Sequence, residues 1–566
     1  MILTEVLSVI GKRKAALAMA VKNALETARA KGELEFDGIP EFVIEVPREA
    51  AHGDFATNAA MLLARAAKKN PREIAKIISE NFDQQACPLA ALEIAGPGFI
   101  NFRLPEGWLA QVMAEIAAEG ESFGRSQVGH KRKVQVEFVS ANPTGELHMG
   151  NARGAALGDT LAALLQMAGY TVEREFYIND AGNQIQKFGL SLEARYLQEL
   201  GEDMPFPEDG YHGEDIRLTM RELIAEVGDK YKNVEPELRR ELLTRYALEK
   251  KIGSIRNTLE RFGVHYDVWF SEQSLHDSGA IAQVVAELQT RGWVYEKDGA
   301  LWLDCRHFGE EKDEVLVRAN GVPTYYAADI AYHNNKFQRG FDLVVNIWGA
   351  DHHGHVARMK GAMESLGYDR DRLQIILMQL VRLYSNGELL RMSKRTGTYV
   401  TLAELMDEVG KDAARFFFVM RSADSQMDFD LDLAVRQSAD NPVYYVQYAH
   451  ARICSVLAGA AAEGLVLDER LDYDYSLLQE PSERNLIRKL ADFPDEVVFG
   501  AEHLEPHRIA AYIQDLAADF HHFYSECRLR GEDRALSLAR LALAKITARV
   551  IKSGLTAMGV TAPEKM

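Results

Sequence analysis

The chain contains little cysteine and no long apolar run. Its four cysteines, at positions 87, 305, 454 and 527 of 566 residues, are far apart and form no C-x-x-C pair. This spacing argues against a disulfide framework and a zinc ribbon, and scattered thiols are typical of a reducing cytosol. No apolar run approaches the ~18 residues that span a bilayer, and basic residues 12–14 follow the first apolar stretch, unlike a secretory signal. We therefore expect a cytoplasmic protein with no membrane segment.

Positive charge is also scarce. The sequence has 65 Lys and Arg against 84 Asp and Glu, a net charge of −19. Such a chain is no bulk polycation, so any nucleic-acid binding must use local basic patches. One candidate patch is residues 528–566, which hold eight basic and three acidic residues. The length and the 47% hydrophobic content predict a globular protein of several domains.

The N-terminal residues, 1–112, have the pattern of a small α/β domain. Apolar periodicity predicts a helix over 5–30, and Pro71 is placed to begin another at its first turn. The alternation of side-chain character over residues 41–46 predicts a strand there. Further elements are expected as a helix ending near 66 and strands at 92–94 and 99–104, separated by the turn Gly96-Pro-Gly98.

The central residues predict a parallel sheet. A buried strand over 134–139, a helix over 151–168 that Gly169 would end, and a strand over 171–178 form a βαβ unit. Further buried strands are expected at 343–348 and 375–381, with a turn at Asn386-Gly387. Residues 181–290 are highly charged and helical in pattern, which predicts a helical insertion of about 181–315. Helices dominate from 402 onward, and Leu543, Ile546 and Val550 there follow helical spacing.

Two motifs carry candidate chemistry. His148-Met-Gly-Asn151 lies between a predicted strand and helix, where unpaired N–H groups favour phosphate and Gly150 permits close approach. Arg391-Met-Ser-Lys-Arg-Thr-Gly397 is a basic loop in which Lys394 is placed to reach a triphosphate. Taken singly, the first is also explained as a structural turn and the second as a solvated basic loop.

Together, the two motifs resemble the H-x-G-H and K-M-S-K-S signatures of class I aminoacyl-tRNA synthetases. Surrounding residues are similar to those of bacterial arginyl-tRNA synthetases over essentially the whole chain. They include Val136-Glu-Phe-Val-Ser-Ala-Asn-Pro-Thr-Gly145, Gly53-Asp-Phe-Ala-Thr-Asn58, Gly96-Pro-Gly-Phe-Ile-Asn101, Asn179-Asp-Ala-Gly-Asn-Gln184, Asn441-Pro-Val-Tyr-Tyr-Val-Gln-Tyr-Ala-His-Ala-Arg452 and Ala562-Pro-Glu-Lys-Met566.

The resemblance implies an α/β Rossmann-type catalytic domain over 113–425, with the insertion at about 181–315. It also implies that residues 1–112 form an α/β domain contacting the tRNA elbow, and that 426–566 form an all-α anticodon-binding domain. Tyr444, Tyr448 and Arg452 are its candidate tRNA-binding residues, although each tyrosine could instead pack a helical core. The family expectation is a monomer.

The implied reaction joins L-arginine to its cognate tRNA through an arginyl-adenylate, with ATP and Mg²⁺ as substrate and no structural metal. The resemblance assigns catalysis to His148, Asn151 and Lys394, and ATP binding to these together with Gly150, Met392 and Ser393. Three positions depart from the family pattern. Asn151 replaces the usual second histidine, Arg391 replaces a lysine and Arg395 replaces a serine.

A guanidinium requires planar, paired acceptors, which carboxylates supply best. Tyr325 and Asp329 match the family's Y-x-x-x-D and would share one helix face. Glu272 is a second carboxylate candidate. The resemblance adds Ser140, Asn142 and Asn151 near the substrate's amino and carboxylate groups, and His352 near the substrate. Asp351-His-His-Gly-His355 could alternatively hold a metal, but no clear ligand set accompanies it.

Other functions remain open at this stage. A catalytically silent, tRNA-binding paralogue would explain the same domains, although such drift usually removes His148 or Lys394. A class I synthetase for cysteine would need zinc-binding cysteines that this sequence lacks. A small nucleotidyltransferase would need neither the N-terminal domain nor the helical C-terminal region.

Overall fold

The computed structural model describes residues 9–47, 52–310, 312–390 and 400–566. Its N-terminal part is a four-stranded antiparallel sheet, ordered β1-β2-β4-β3, flanked by helices. The elements are α1 (Val9–Ala30), β1 (Ile44–Glu45), β2 (Phe55–Thr57), α2 (Ala59–Ala67), α3 (Pro71–Asn81), β3 (Ala91–Ala95), β4 (Phe99–Arg103) and α4 (Trp108–Glu119).

Most of these elements match the sequence prediction. Pro71 begins α3, and the Asn70 side chain caps it by accepting a hydrogen bond from the N–H of Arg72 at 2.9 Å. The strand expected over 41–46 is only two residues long, and β2 was not predicted. All three residues of β2 are buried, so this segment lacks the polar–apolar alternation that signals a strand.

The central part contains the remaining strands and α5–α15. The elements are β5 (Lys133–Glu137), α5 (Met149–Met167), β6 (Thr171–Ile178), α6 (Gly182–Glu199), α7 (Glu214–Val227), α8 (Pro236–Arg261), β7 (Val268–Ser271), α9 (Gln273–Asp277), α10 (Ala280–Thr290), β8 (Val294–Lys297), β9 (Ala300–Leu303), β10 (Glu314–Val317), α11 (Tyr325–Gln338), β11 (Leu343–Gly349), α12 (His353–Ser365), β12 (Leu373–Met378), β13 (Val381–Ser385), β14 (Glu388–Leu389), α13 (Leu402–Val409), α14 (Lys411–Val419), β15 (Met427–Asp430) and α15 (Leu431–Ala434).

The central sheet has five parallel strands in the order β12-β11-β5-β6-β7. From β5 the chain proceeds outward through β6 and β7, and later returns to the other side of β5 as β11. The strand order therefore reverses between β5 and β11, and the carboxyl ends at such a switch point are where open α/β sheets bind ligands. The predicted βαβ unit is confirmed, and Gly169 follows α5 with a φ of +87°.

Two expectations for this region need correction. The strand predicted over 375–381 ends at Met378, because Gln379 turns away and donates its backbone N–H to the carbonyl of Ala423 at 2.9 Å. Residues 181–315, expected as a helical insertion, also contain β7, the edge strand of the central sheet, and the antiparallel strands β8 and β9. Only α6, α7 and α8 form a helical unit with its own apolar cluster.

The C-terminal part consists of α16 (Pro442–Ala462), α17 (Pro481–Ala491), α18 (Phe493–Glu502), α19 (His507–Glu526) and α20 (Arg534–Ala557). Leu543, Ile546 and Val550 are buried on α20, as their spacing predicted. Residues 427–430 form β15, which pairs with β13 in a small sheet rather than joining these helices. In the parts of the chain that the structure describes, no helix combines the length and apolar character needed to cross a membrane.

Candidate active site

A cavity of about 1100 Å³ opens at the carboxyl ends of β5, β6 and β11, at the switch point of the central sheet. Six residues singled out from the sequence line it: Ser140, Asn142, His148, Asn151, Asp329 and His352. They come from four separate segments of the chain. The fold therefore brings together residues that the sequence motifs indicated one by one.

His148 is fixed at the N-terminus of α5 by two reciprocal hydrogen bonds. Its Nδ1 accepts from the backbone N–H of Gly150 at 3.1 Å, and its own N–H donates to Oδ1 of Asn151 at 3.1 Å. Because Nδ1 accepts, the neutral ring carries its proton on Nε2. A Cβ at position 150 would lie 3.0 Å from Cε1 of His148, which explains a glycine there.

The segment after the second motif is tied to the first. Thr401 forms an antiparallel bridge with His148, and the N–H of Leu402 donates to the carbonyl of Leu147 at 2.8 Å. Thr401 also lines the cavity and caps α13. Met392, Ser393 and Lys394 lie outside the described residues, but the chain that follows them is anchored beside the imidazole.

Arg153, one turn further along α5, anchors the chain after β12 and the loop before β15. It is fully buried and donates to the carbonyls of Gln379, Ser422 and Ser425 at 2.7–3.0 Å. Burial lowers the pKa of its guanidinium to about 10. The helix that carries His148 is thereby fixed to the end of the central sheet.

A strained turn after β5 presents Ser140. Val139 and Ser140 have φ angles of +71° and +41°, a conformation that β-branched residues rarely adopt. The Ser140 hydroxyl donates to Oε1 of Glu137 at 2.8 Å and accepts from the N–H of Tyr177 at 3.2 Å. Backbone strain of this kind is found where a site must hold a fixed geometry.

Buried polar groups support this turn from below. Lys336 of α11 is fully buried, and its Nζ lies 2.5 Å from Oε2 of Glu137 and 2.9 Å from Oδ1 of Asn346. Nδ2 of Asn346 is hydrogen-bonded to Nε2 of His333 at 2.6 Å, and Nδ1 of His333 is hydrogen-bonded to the carbonyl oxygen of Asp329 at 2.8 Å. Burial, followed by the charge of Lys336, holds the pKa of His333 well below its usual value. This network fixes α11 relative to β5.

Asp329 projects from α11, with Oδ2 3.2 Å from Nε2 of His355. Its side chain is 38% exposed, so a ligand can reach it. Tyr325, one turn earlier, does not line the cavity: it is half exposed and lies against Gly182. The expected shared helix face is present, but only Asp329 contributes to the cavity wall.

Tyr177 and Glu272 form a second polar pair beside Asp329. Tyr177 lines the cavity at the end of β6, and its hydroxyl interacts with Glu272, which is 3% exposed and does not itself line the cavity. Burial raises the pKa of Glu272, and the nearby charge of Asp329 raises it further. Burial and the adjacent Glu272 also raise the pKa of Tyr177 strongly. The sequence offered Glu272 as a candidate but gave no indication of Tyr177.

The insertion supplies a wall that the sequence did not reveal. Tyr211, His212 and Asp215 line the cavity from the connection into α7. Ser191 holds this connection by accepting from the N–H of Tyr211 at 2.9 Å, and Lys251 pairs with Asp215. The charged helical pattern of this region gave no sign that it reaches the central sheet.

The three histidines after β11 are not arranged as a metal site. His352 is exposed at the cavity edge, with its ring 5.9 Å from that of Trp348, while His355 contacts Asp329. Across residues 9–47, 52–310, 312–390 and 400–566, no group of three or more His, Cys, Asp or Glu side chains is placed to hold an ion.

Tyr444, Tyr448 and Arg452 lie on one face of α16. The two tyrosine rings are stacked at 6.2 Å, and Arg452 donates to the Tyr448 hydroxyl at 3.0 Å and to that of Tyr524 at 3.3 Å. Tyr448 and Arg452 are exposed. The basic patch over 528–566 is partly neutralised, because Arg530, Arg540 and Arg549 pair with acidic residues.

Known proteins match this architecture over the whole chain. Family models match residues 15–104 (arginyl tRNA synthetase N terminal domain), 112–441 (tRNA synthetases class I (R), catalytic domain) and 446–566 (DALR anticodon binding domain). An arginine–tRNA ligase of Moorella thermoacetica is 58% identical over 560 residues, covering 99% of this chain and 100% of that protein. One of Heliobacterium modesticaldum is 61% identical over 554 residues, covering 97% and 98%.

The fold agrees with these matches. The solved arginyl-tRNA synthetase of Thermus thermophilus aligns with a TM-score of 0.75 at 24% identity, covering 98% of this chain and 100% of that one. The sequence identities and the three family models show that the chain belongs to the arginyl-tRNA synthetase family of class I aminoacyl-tRNA synthetases.

Proposed function

We propose that this chain ligates L-arginine to its cognate tRNA in two steps. The arginine carboxylate attacks the α-phosphate of ATP, which enters with Mg²⁺ as the substrate complex, and pyrophosphate leaves. A ribose hydroxyl at the tRNA 3′ end then attacks the carbonyl carbon, and AMP leaves. The observation that carries the proposal is one cavity with a helix-capping imidazole on one wall and the carboxylate of Asp329 on another.

The phosphate end of the cavity is assigned to the start of α5. A proton on Nε2 of His148 gives a donor for a phosphoryl oxygen whose charge grows in the transition state. Gly150 and the helix N-terminus favour the same anion. Asn151 replaces a histidine yet still supplies the oxygen that fixes His148, so the substitution retains the cap. Met392, Ser393 and Lys394 are proposed to contact ATP from the segment anchored through Thr401.

The arginine end is assigned to Asp329 and Glu272, which would accept hydrogen bonds from the guanidinium. Ser140, Asn142 and Asn151 are proposed to bind the amino and carboxylate groups. Tyr325 and His352, at the rim, are proposed to contact the substrate when it is bound. Lysine would leave some of these acceptors unpaired, which would favour arginine by ~10⁴-fold or more.

The tRNA is assigned to surfaces outside the cavity. Tyr444 and Tyr448 offer stacking faces, and Arg452 offers a charge beside them, which suits unpaired anticodon bases. Residues 1–112 are proposed to contact the tRNA elbow, and 426–566 to form the anticodon-binding domain. We also propose that the protein acts in the cytoplasm as a monomer. Its sedimentation with and without tRNA would test the oligomeric state.

The experiment that tests this function is ATP–pyrophosphate exchange with each of the twenty amino acids, with and without total tRNA. We expect exchange with arginine alone, and the family resemblance leads us to expect it only when tRNA is present. Exchange with a different amino acid would reject the substrate assignment. Tight tRNA binding without exchange for any amino acid would instead favour the silent paralogue.

A further inference from the structure

Asp180, two residues after β6, binds the chain on both sides of Glu272. Its Oδ2 accepts a hydrogen bond from the Ser271 hydroxyl at 2.6 Å, and its Oδ1 accepts one from the backbone N–H of Gln273 at 2.9 Å. Glu272 stands between these two anchors. A single carboxylate therefore fixes the backbone from which the Glu272 side chain projects.

Asp180 supplies the acceptor for the first N–H of α9, that of Gln273. The residue that precedes a helix can itself accept a hydrogen bond, from the N–H of the second or third helical residue. Glu272 holds this position before α9, yet its side chain makes no such bond. Because Asp180 caps the turn from the neighbouring strand, the Glu272 carboxylate is left to interact elsewhere.

The Glu272 side chain is buried and lies beside a residue of the cavity wall. It interacts with the hydroxyl of Tyr177, which lines the cavity, and with the charge of Asp329. Its Oε1 also lies 3.8 Å from Nε2 of His276. The backbone N–H of Glu272 donates to the carbonyl of Ile178 at 3.0 Å. This bond and the two bonds of Asp180 hold the end of β7 against the end of β6.

We propose that Asp180 is a positioning residue for arginine recognition, holding the backbone of Glu272 so that its carboxylate stays beside Tyr177 and near Asp329. Asp180 does not touch the substrate in this proposal. The inference rests on the proposed function, in which Glu272 and Asp329 accept hydrogen bonds from arginine. It assigns a role to the aspartate of the Asn179-Asp-Ala-Gly-Asn-Gln184 segment.

Two variants of Asp180 separate geometry from charge. Asp180→Ala removes both bonds, whereas Asp180→Asn keeps an oxygen for the N–H of Gln273 and an N–H that Ser271 can accept. Since a displacement of about 1 Å in a substrate-positioning group can cost ~10²-fold, we expect Asp180→Ala to raise the arginine KM by about 10- to 100-fold. The ATP KM should stay within about twofold, and Asp180→Asn should remain close to the parent chain.

A double-mutant cycle tests whether Asp180 acts through Glu272. The arginine KM is measured by tRNA-dependent exchange for Asp180→Ala, Glu272→Gln and the double variant. Residues that act through one another are not additive, so Asp180→Ala should change KM by less than about twofold when Glu272 is already Gln. Thermal unfolding of each variant is recorded in parallel.

Each alternative result would overturn the inference. Equal KM increases for Asp180→Ala and Asp180→Asn would make Asp180 a charge contributor rather than a positioning group. A lowered unfolding temperature with an unchanged arginine KM would give it a purely structural role. An unchanged KM in Glu272→Gln would remove Glu272 from the site while arginine-specific exchange, and hence the proposed function, still stood. If the parent chain itself showed no arginine-dependent exchange, both the inference about Asp180 and the proposed function would be rejected.

Discussion

Arg415 pairs with Asp159 in the interior, with Nη2 and Oδ2 2.6 Å apart and the arginine fully buried. The same guanidinium donates to the carbonyls of Phe262 and Gly263 at 3.0 and 3.3 Å, and to that of Met558. One side chain of α14 thus joins α5, which His148 caps, to the end of α8 and the chain that follows α20.

Replacing Arg415 should destabilise this junction strongly. Arg415→Met keeps the length of the side chain but leaves three carbonyls and Oδ2 of Asp159 without their donor, while Arg174 still donates to Oδ1 of Asp159 at 3.0 Å. Breaking a buried pair by removing one partner typically costs about 3–5 kcal/mol. Because Arg174 keeps the carboxylate paired, we expect the unfolding free energy of the catalytic part to fall by about 3 kcal/mol, the lower end of this range, measured by calorimetry on the full chain.

The surface pair of Arg382 and Asp428 provides the matched control. It is joined by two hydrogen bonds, at 2.6 and 2.9 Å, but its side chains are 42% and 49% exposed. Exposed pairs contribute about 0–1 kcal/mol, so Arg382→Met should shift the unfolding transition only slightly. Equal shifts for the two variants would contradict the role assigned to Arg415.

His148→Asn should separate the structural and chemical roles of His148. Asparagine is among the best N-cap residues, so the variant should keep the start of α5 and unfold near the parent temperature. It cannot place the imidazole Nε2 at the phosphate, and loss of one such donor lowers kcat by about 10²- to 10³-fold. The exchange rate and the unfolding temperature are measured together. His148→Ala, which also loses the cap, should be the less stable of the two.

Asp329→Asn should weaken arginine binding selectively. A hydrogen bond to a charged group contributes about 1.5–3 kcal/mol, which corresponds to an increase of about 10- to 150-fold in the arginine KM. The ATP KM should change little, since the carboxylate projects from α11, apart from the start of α5. Steady-state exchange with varied arginine measures this, and an unchanged arginine KM would transfer the guanidinium contact to Glu272.

The predicted elements that the structure confirms are those with strong local signals. The bounds of β6 were predicted at 171–178 and found there, because turn residues flank a run of suitable length. Pro71 began a helix as expected, since its fixed φ and missing N–H fit a first turn. Local motifs also indicated Ser140, Asn142, His148 and Asn151, which line the cavity.

The features that the sequence missed depend on contacts between distant segments. The edge strand β7 follows three helices and pairs with β6, about 90 residues earlier, so nothing local showed which sheet it would join. Tyr211 and His212 line the cavity only because α6 and α7 direct their connection towards it. The sequence did not predict a structural role for Arg415, because its partners are backbone carbonyls and one carboxylate from three distant regions of the chain.

Asp492, between α17 and α18, predicts how stability depends on pH. Burial raises the pKa of its carboxyl from 3.8 to about 6; the charges of Lys14 and Lys489 oppose this, and those of Asp495 and Glu496 add to it. A folded-state pKa above the unfolded one stabilises the fold at low pH, and this contribution is lost as pH rises through about 6. Ionised Asp492 therefore destabilises the folded protein at neutral pH.

Asp492→Asn cannot ionise and should remove this effect. We expect the variant and the parent chain to unfold at similar temperatures near pH 4, with the variant becoming more stable by about 1–3 kcal/mol as pH rises to 8. Calorimetry at intervals of half a pH unit measures the difference. Asp515→Asn, which removes a carboxylate whose side chain is 69% exposed and also pairs with Lys489, is the control. A stability difference that stayed constant between pH 4 and 8 would show that burial of the Asp492 charge is not the cause.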